Sequence, residues 1–230
     1  MLESPEIEDD LNQSQALILA SNSPRRRELL SLAEWHFEVR PADVDESVLP
    51  GESPQDYVSR VAADKARVIG SQLDEGLVLA ADTTVVLDGE ILGKPHNPAR
   101  ARQMLTALRG REHIVYSGLA LLNARTGESQ HDLATSRVPM RDYSDAEMDA
   151  YIASGDPLDK AGAYGIQHKG FRAVDGMQEC FANVVGFPLC HLTRNLRKWG
   201  LAFEVDLAVA CQAHLDYECP IYEEVLQWQQ

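Results

Sequence analysis

Three times between residues 16 and 100 a helix-capping side chain is followed directly by proline: Ser23-Pro24, Ser53-Pro54 and Asn97-Pro98. Such a pair fixes where a helix begins. The cap accepts from an otherwise unpaired backbone N–H, and proline brings no N–H of its own to the first helical turn. The spacing predicts helices over about 24–33, 54–71 and 98–110. Short apolar runs with the length of buried strands lie around them: Ala16–Ala20, Val39–Val44, and Leu77–Ala81 continuing as Thr83–Leu87 up to the tight-turn pair Asp88-Gly89. Two longer strands, Ile114–Leu122 and Asp132–Met140, flank a turn at Thr126-Gly127. Ser144-Asp145-Ala146-Glu147 is a full capping box for a helix ending at Gly155, and Phe187-Pro188 opens another that ends at Gly200. Alternating helices and strands followed by a long hairpin predict an α/β fold. Its mixed, twisted sheet carries flanking helices and leaves a cleft.

The 230 residues, 44% hydrophobic and 25% charged, suffice for one sizeable domain. No apolar run reaches the ~18–20 residues of a membrane span, and the acidic start has no basic-then-apolar signal pattern. The four cysteines (Cys180, Cys190, Cys211, Cys219) form no Cys-x-x-Cys pair and read as thiols in a reducing cytoplasm. The net charge of -15 is mostly terminal. Residues 1–13 and 201–230 hold acids and no Lys or Arg, and together supply -11. The expected division is a disordered acidic head (1–15), a folded body (16–200) and a partly helical extension (201–230). The nearly balanced body argues against a nucleic-acid surface and leaves room for a small anionic ligand where cations concentrate.

Four segments carry candidate chemistry. After the first strand, Ser21-Asn22-Ser23-Pro24 leads into Arg25-Arg26-Arg27. Cations at a helix start oppose the macrodipole by ~0.3–1 kcal/mol each, so either a bound polyanion offsets them or they splay into solvent. Asp82, placed at the end of a buried strand, either faces a cleft or serves a turn. Lys65 lies on the inner stripe of its helix with Val58, Ala62 and Ile69, and either snorkels outward or points at a site. Glu46 and Lys94 have no special local signal. In Asp159-Lys160-Ala161-Gly162-Ala163-Tyr164-Gly165-Ile166-Gln167, the glycines permit close backbone approach, and Gln167 either reads a base edge or faces solvent. Together these residues outline a polyphosphate site.

The order of motifs resembles the Maf family. LASNSPRRRELL is similar to that family's opening. Matching segments follow in order: Val44-Asp45-Glu46; Tyr57–Ala66; Ala81-Asp82-Thr83; Leu92-Gly93-Lys94-Pro95; Asp159–Gln167; and Val184–Leu189. The resemblance implies two lobes around a deep cleft, a homodimer, and hydrolysis of nucleoside triphosphates to monophosphate and pyrophosphate with Mg, Mn or Co. It implies Asp82 as proton acceptor and Glu46 with Asp82 at the metal. Ser21, Arg25, Arg26, Lys65, Lys94, Lys160 and Gln167 would contact substrate. Arg25, Thr83 and Gln167 look like the dTTP/UTP type, whereas the 7-methyl-GTP type carries Trp, Gln and Glu there. The resemblance also leaves open the same reaction on 7-methyl-GTP, and a nucleotide-binding regulator of septum formation with little turnover. Gln178-Glu179-Cys180-Phe181 departs from the family's usual Gly-Ser-Tyr, and 201–230 extends past its usual end.

Overall fold

The computed structural model describes residues 16–227, so the acidic head lies outside the described residues. Eight helices and six strands follow in the order β1 (Leu17–Leu19), α1 (Pro24–Ser31), β2 (Phe37–Val39), α2 (Pro54–Gly70), β3 (Leu77–Leu87), β4 (Glu90–Leu92), α3 (Pro98–Leu108), β5 (Glu112–Asn123), β6 (Ser129–Pro139), α4 (Asp145–Ala153), α5 (Phe181–Val185), α6 (Leu189–Lys198), α7 (Leu207–Leu215) and α8 (Tyr222–Gln227) among the described residues. Two short 3-10 turns, Asp156–Asp159 and Ala161–Ala163, separate α4 from α5.

The capping signals explain most helix starts. Ser53 accepts from the Asp56 N–H, Asn97 from the Arg100 N–H, and both halves of the Ser144/Glu147 box are made. Ser23 differs. Its side chain caps nothing, and instead its N–H donates to Ser21 Oγ at 3.2 Å. The strand expected over Val39–Val44 lies earlier, at Phe37–Val39. Pro41 lacks the N–H a ladder needs, so residues beyond Arg40 leave the sheet. Nor does the strand stop at Asp82: β3 runs unbroken to Leu87.

One mixed sheet organises the chain, in the order β2-β1-β3-β5-β6. The first three strands are parallel, and β5 and β6 continue antiparallel. β5 pairs one edge of β3 from Leu77 to Val86. The other edge is shared: β1 pairs Leu77–Leu79 and antiparallel β4 pairs Val85–Leu87. Between them, no strand among the described residues covers Ala80–Thr84.

α2 lies on one face of the sheet, packing Ala62, Ala66 and Ile69 on Ile18, Val78 and Ala80, and Val58 and Val61 near Val86. Gly118 on β5 permits the close approach. A Cβ there would stand 2.5 Å from the Val58 carbonyl oxygen and 2.7 Å from its carbon. The opposite face carries two separate apolar clusters. One joins Leu19, Leu79 and Ala81 to α1, α6 and α7; the other joins Val85, Val115 and Val138 to α3 and α4. A buried polar seam divides them. Thr83 Oγ1 lies 2.7 Å from Ser117 Oγ, Ser117 Oγ donates to the Asn183 carbonyl, and Asn183 Nδ2 donates to Ser136 Oγ. α6 is tied to β6 by a buried ion pair, Arg194 Nη2 to Asp132 Oδ2 at 2.6 Å, which Asn195 Nδ2 joins.

Gly118→Ala should lower stability by roughly 1–3 kcal/mol through overpacking against α2 backbone. Gly93→Ala, with open space around it, should leave the melting temperature unchanged; equal behaviour of the two variants would contradict this packing. Two buried imidazoles predict an acid-side loss as well. Burial pushes His113 down to about 4, and burial, opposed by the Asp132 charge, pushes His191 down to about 4. Neither Nδ1 has a hydrogen-bond partner among the described residues. The folded values lie below the unfolded ~6.5, so stability is intact above that pH. It should fall as pH drops from ~6.5 to ~4, by on the order of 2–3 kcal/mol per imidazole. Denaturant midpoints between pH 7 and 4.5 measure it, and His113→Gln should flatten the curve.

Candidate active site

The uncovered middle of β3 opens onto a pocket of about 1120 Å³. The end of β1 and start of α1 (Ala20–Arg26) form one wall, and Gly93-Lys94 after β4 form another. The loop 159–169 and the C-terminal end of α5 complete it. All ten sequence-selected positions line it: Ser21, Arg25, Arg26, Glu46, Lys65, Asp82, Thr83, Lys94, Lys160 and Gln167. Arg27, the third arginine of the run, points to solvent.

Asp82 and Thr83 are neighbours on a strand, so their side chains leave opposite faces of the sheet. On the α2 side, Asp82 meets Lys65, which turns inward rather than snorkelling. Lys65 Nζ donates to Asp82 Oδ1 at 2.8 Å and reaches Glu46 Oε1 at 2.6 Å. The Lys65 and Asp82 side chains are 9% and 10% exposed and form the floor, whereas Glu46, 50% exposed, stands at the rim. Burial opposes ionisation of Glu46, but the hydrogen bond and charge of Lys65, with Lys94 and Arg26, hold its carboxyl below the ordinary range. The Tyr57 hydroxyl, pushed up to about 12 by burial and by the Asp82 and Glu46 charges, donates to the Glu46 carbonyl at 3.0 Å. Arg60, one turn on, grips Glu52 and the Ser47 carbonyl. Thus α2 supplies Lys65 and also latches the loop that carries Glu46.

On the other face, Thr83 meets Arg26. That guanidinium donates to the Gly186 carbonyl through Nε (3.0 Å), to Ser21 Oγ through Nη1 (3.2 Å) and to Thr83 Oγ1 through Nη2 (3.3 Å). Burial lowers its pKa, with the Asp82 charge opposing. Five donors and three protein partners leave two N–H groups for an anion. Lys160 is more fully engaged: its ammonium donates to the Asp156 carbonyl and to the carboxylates of Asp156 and Asp159. Gln167 is exposed, with its amide uncommitted to any other described residue.

Six Lys and Arg side chains (Arg25, Arg26, Lys65, Lys94, Lys160, Lys169) face four acids (Glu46, Asp82, Asp156, Asp159) around the pocket, in a chain whose net charge is -15. No close salt bridge among the described residues engages Arg25, Lys94 or Lys169. Cationic surplus is therefore concentrated where a polyanion would bind. Among the described residues no cluster of three or more His, Cys, Asp or Glu side chains is arranged to hold a metal. Two hard oxygen donors sharing one ammonium do suit an Mg-like ion that takes its remaining ligands from phosphate oxygens and water. Sequence reasoning missed Tyr57, Asp156 and the short helix α5. Gly186, at φ 111°, ends α5 and offers its carbonyl to Arg26. A five-residue helix with Cys180 as its cap has no strong propensity signal.

Sequence comparison agrees with this geometry. The Maf family, described as Maf-like protein, matches residues 16–199. A dTTP/UTP pyrophosphatase of Methylococcus capsulatus is 50% identical over 187 residues, covering 80% of this chain and 91% of the relative. One of Anaeromyxobacter dehalogenans is 47% identical over 186 residues (80% and 94%), and one of Moorella thermoacetica 44% over 185 (80% and 95%). With the matched region spanning both walls and the floor of the pocket, the chain belongs to the Maf family.

Proposed function

We propose that the protein hydrolyses dTTP and UTP to the nucleoside monophosphate and pyrophosphate. The observation that carries this is the single pocket in which Arg25, Arg26, Lys65 and Lys94 surround the Glu46/Asp82 carboxylate pair. The enzymatic names of the relatives support the same reading.

Arg25, Arg26 and Lys94 grip the triphosphate, with Ser21 beside them, and Lys160 holds the 156–159 turn against the nucleotide. Arg25, Thr83 and Gln167 set the preference for a pyrimidine base. Glu46 and Asp82 would hold a divalent ion, Mg, Mn or Co, which when bound would polarise the phosphoryl group. Only Oδ1 of Asp82 is taken by Lys65, and the carboxylate's second oxygen takes a proton from the water that attacks the α-phosphorus. Lys65 orients Asp82 through its hydrogen bond and, with Arg26 and Lys94, stabilises charge on the departing pyrophosphate. The two apolar clusters meeting at the seam act as two lobes around the pocket. Residues 16–200 form the catalytic unit, acting in the cytoplasm as a homodimer with 201–227 packed upon it. Among the described residues, no helix is long and apolar enough to cross a membrane.

Asp82→Asn should cut turnover by ~10²–10⁴ while the fold survives, as measured by pyrophosphate release from a panel of triphosphates and by circular dichroism. Wild type that prefers 7-methyl-GTP overturns the specificity assignment, and wild type that releases pyrophosphate from none overturns the enzyme. Lys94→Ala should weaken catalysis at constant thermal stability. A large fall in melting temperature would show that this lysine serves the fold instead.

A further inference from the structure

The four cysteines, scattered in sequence, converge in space. Cys180, Cys190, Cys211 and Cys219 all line one cavity of about 10 Å³ between α5, α6, α7 and the turn before α8. Two of them, Cys211 and Cys219, lie beyond the region that matches the family, which ends at residue 199. A void of that size admits a single water at most, so it is no small-molecule site. Nor, among the described residues, do these thiols form a cluster arranged for a metal.

We propose that Cys180 and Cys219 are an oxidisable thiol pair whose disulfide staples the C-terminal extension to the catalytic unit. Cys190 and Cys211 are buried thiols, each pushed up to about 12 chiefly by burial, and behave as inert packing groups. Of the four, Cys219 alone is not fully buried. Both Cys180 and Cys219 line that one cavity, and the proximity of Cys180, aided by the N–H groups of Ile221 and Tyr222, favours the Cys219 thiolate. The same proximity, with burial, holds Cys180 protonated. One sulfur is thus an accessible nucleophile and the other a buried resolving thiol. Their segments are already tied together, since the Tyr217 hydroxyl donates to the Met177 and Glu179 carbonyls and Gln212 Oε1 accepts from the Cys219 N–H.

The oxidant is a hydroperoxide. The Cys219 thiolate attacks one peroxide oxygen, the O–O bond breaks, and proton uptake releases water and leaves a sulfenic acid. Cys180 sulfur then attacks Cys219 sulfur. The S–S bond forms, the S–O bond breaks, and the departing hydroxide takes the Cys180 proton as a second water. Two thiols are oxidised and one peroxide is reduced.

The test uses the full-length, fully reduced chain and a small molar excess of hydrogen peroxide. The expected product has lost two hydrogens in intact mass, links Cys180 to Cys219 in the peptide map, and melts roughly 5–10 °C higher. Dithiothreitol should reverse all three changes. Cys219→Ser should abolish the mass loss, and Cys190→Ser should keep it. A disulfide between other thiols, Cys219 carried to sulfinic acid without cross-linking, or an unchanged mass would each overturn the proposal, whatever the enzyme's activity on nucleotides.

Discussion

Everything at the pocket follows from how β3 is partnered. It is eleven residues long, but the strands on its second edge, β1 and β4, have three residues each and sit at its two ends. Among the described residues, the stretch between them is held in register by β5 alone, so it is rigid on one side and accessible on the other. A strand alternates its side chains, and so this short window delivers Asp82 to one face and Thr83 to the other. The loop that leaves β1 and the loop that leaves β4 must then end beside the window, which is why Ser21, Arg26 and Lys94 share one space despite their separation in sequence.

The two faces do different work. On the α2 side an ammonium is taken out of water beside two carboxylates, an arrangement tolerable only because each charge meets an opposite one. On the other face the polar seam interrupts what would otherwise be one continuous apolar core. Arg26 closes that seam at the pocket end, joining the β1 loop, β3 and the end of α5. It is therefore a brace for the walls as well as a cation within them.

Much of this was legible in the sequence because the relevant signals are local. Proline after a capping residue fixed the starts of α2 and α3, and the capping box fixed α4. Ser23-Pro24 found the start of α1 but not its chemistry, since Ser21 rather than Ser23 holds the loop. The uninterrupted apolar character of β3 on both sides of Asp82 was legible, yet a carboxylate within it read as a strand end. Only the partner strands reveal that position 82 lies in an uncovered middle. The direction of Lys65 was likewise open, because helical spacing puts a side chain on a face without saying whether a carboxylate waits there. The engagement of Lys160 by Asp156, the support of Glu46 by Tyr57 and the gathering of four cysteines are tertiary facts with no local signature.

Gly118 carries a consequence for reach. With Val58 backbone resting directly on β5, the height of α2 above the sheet is set by main-chain contact rather than by compressible side chains. Lys65 stands seven residues further along the same helix, two turns or ~10 Å, and inherits that height. A lysine's tetramethylene arm then spans a gap to Asp82 whose width the main chain sets. The absence of a side chain on β5 thus acts as a gauge for a charge contact on the neighbouring strand.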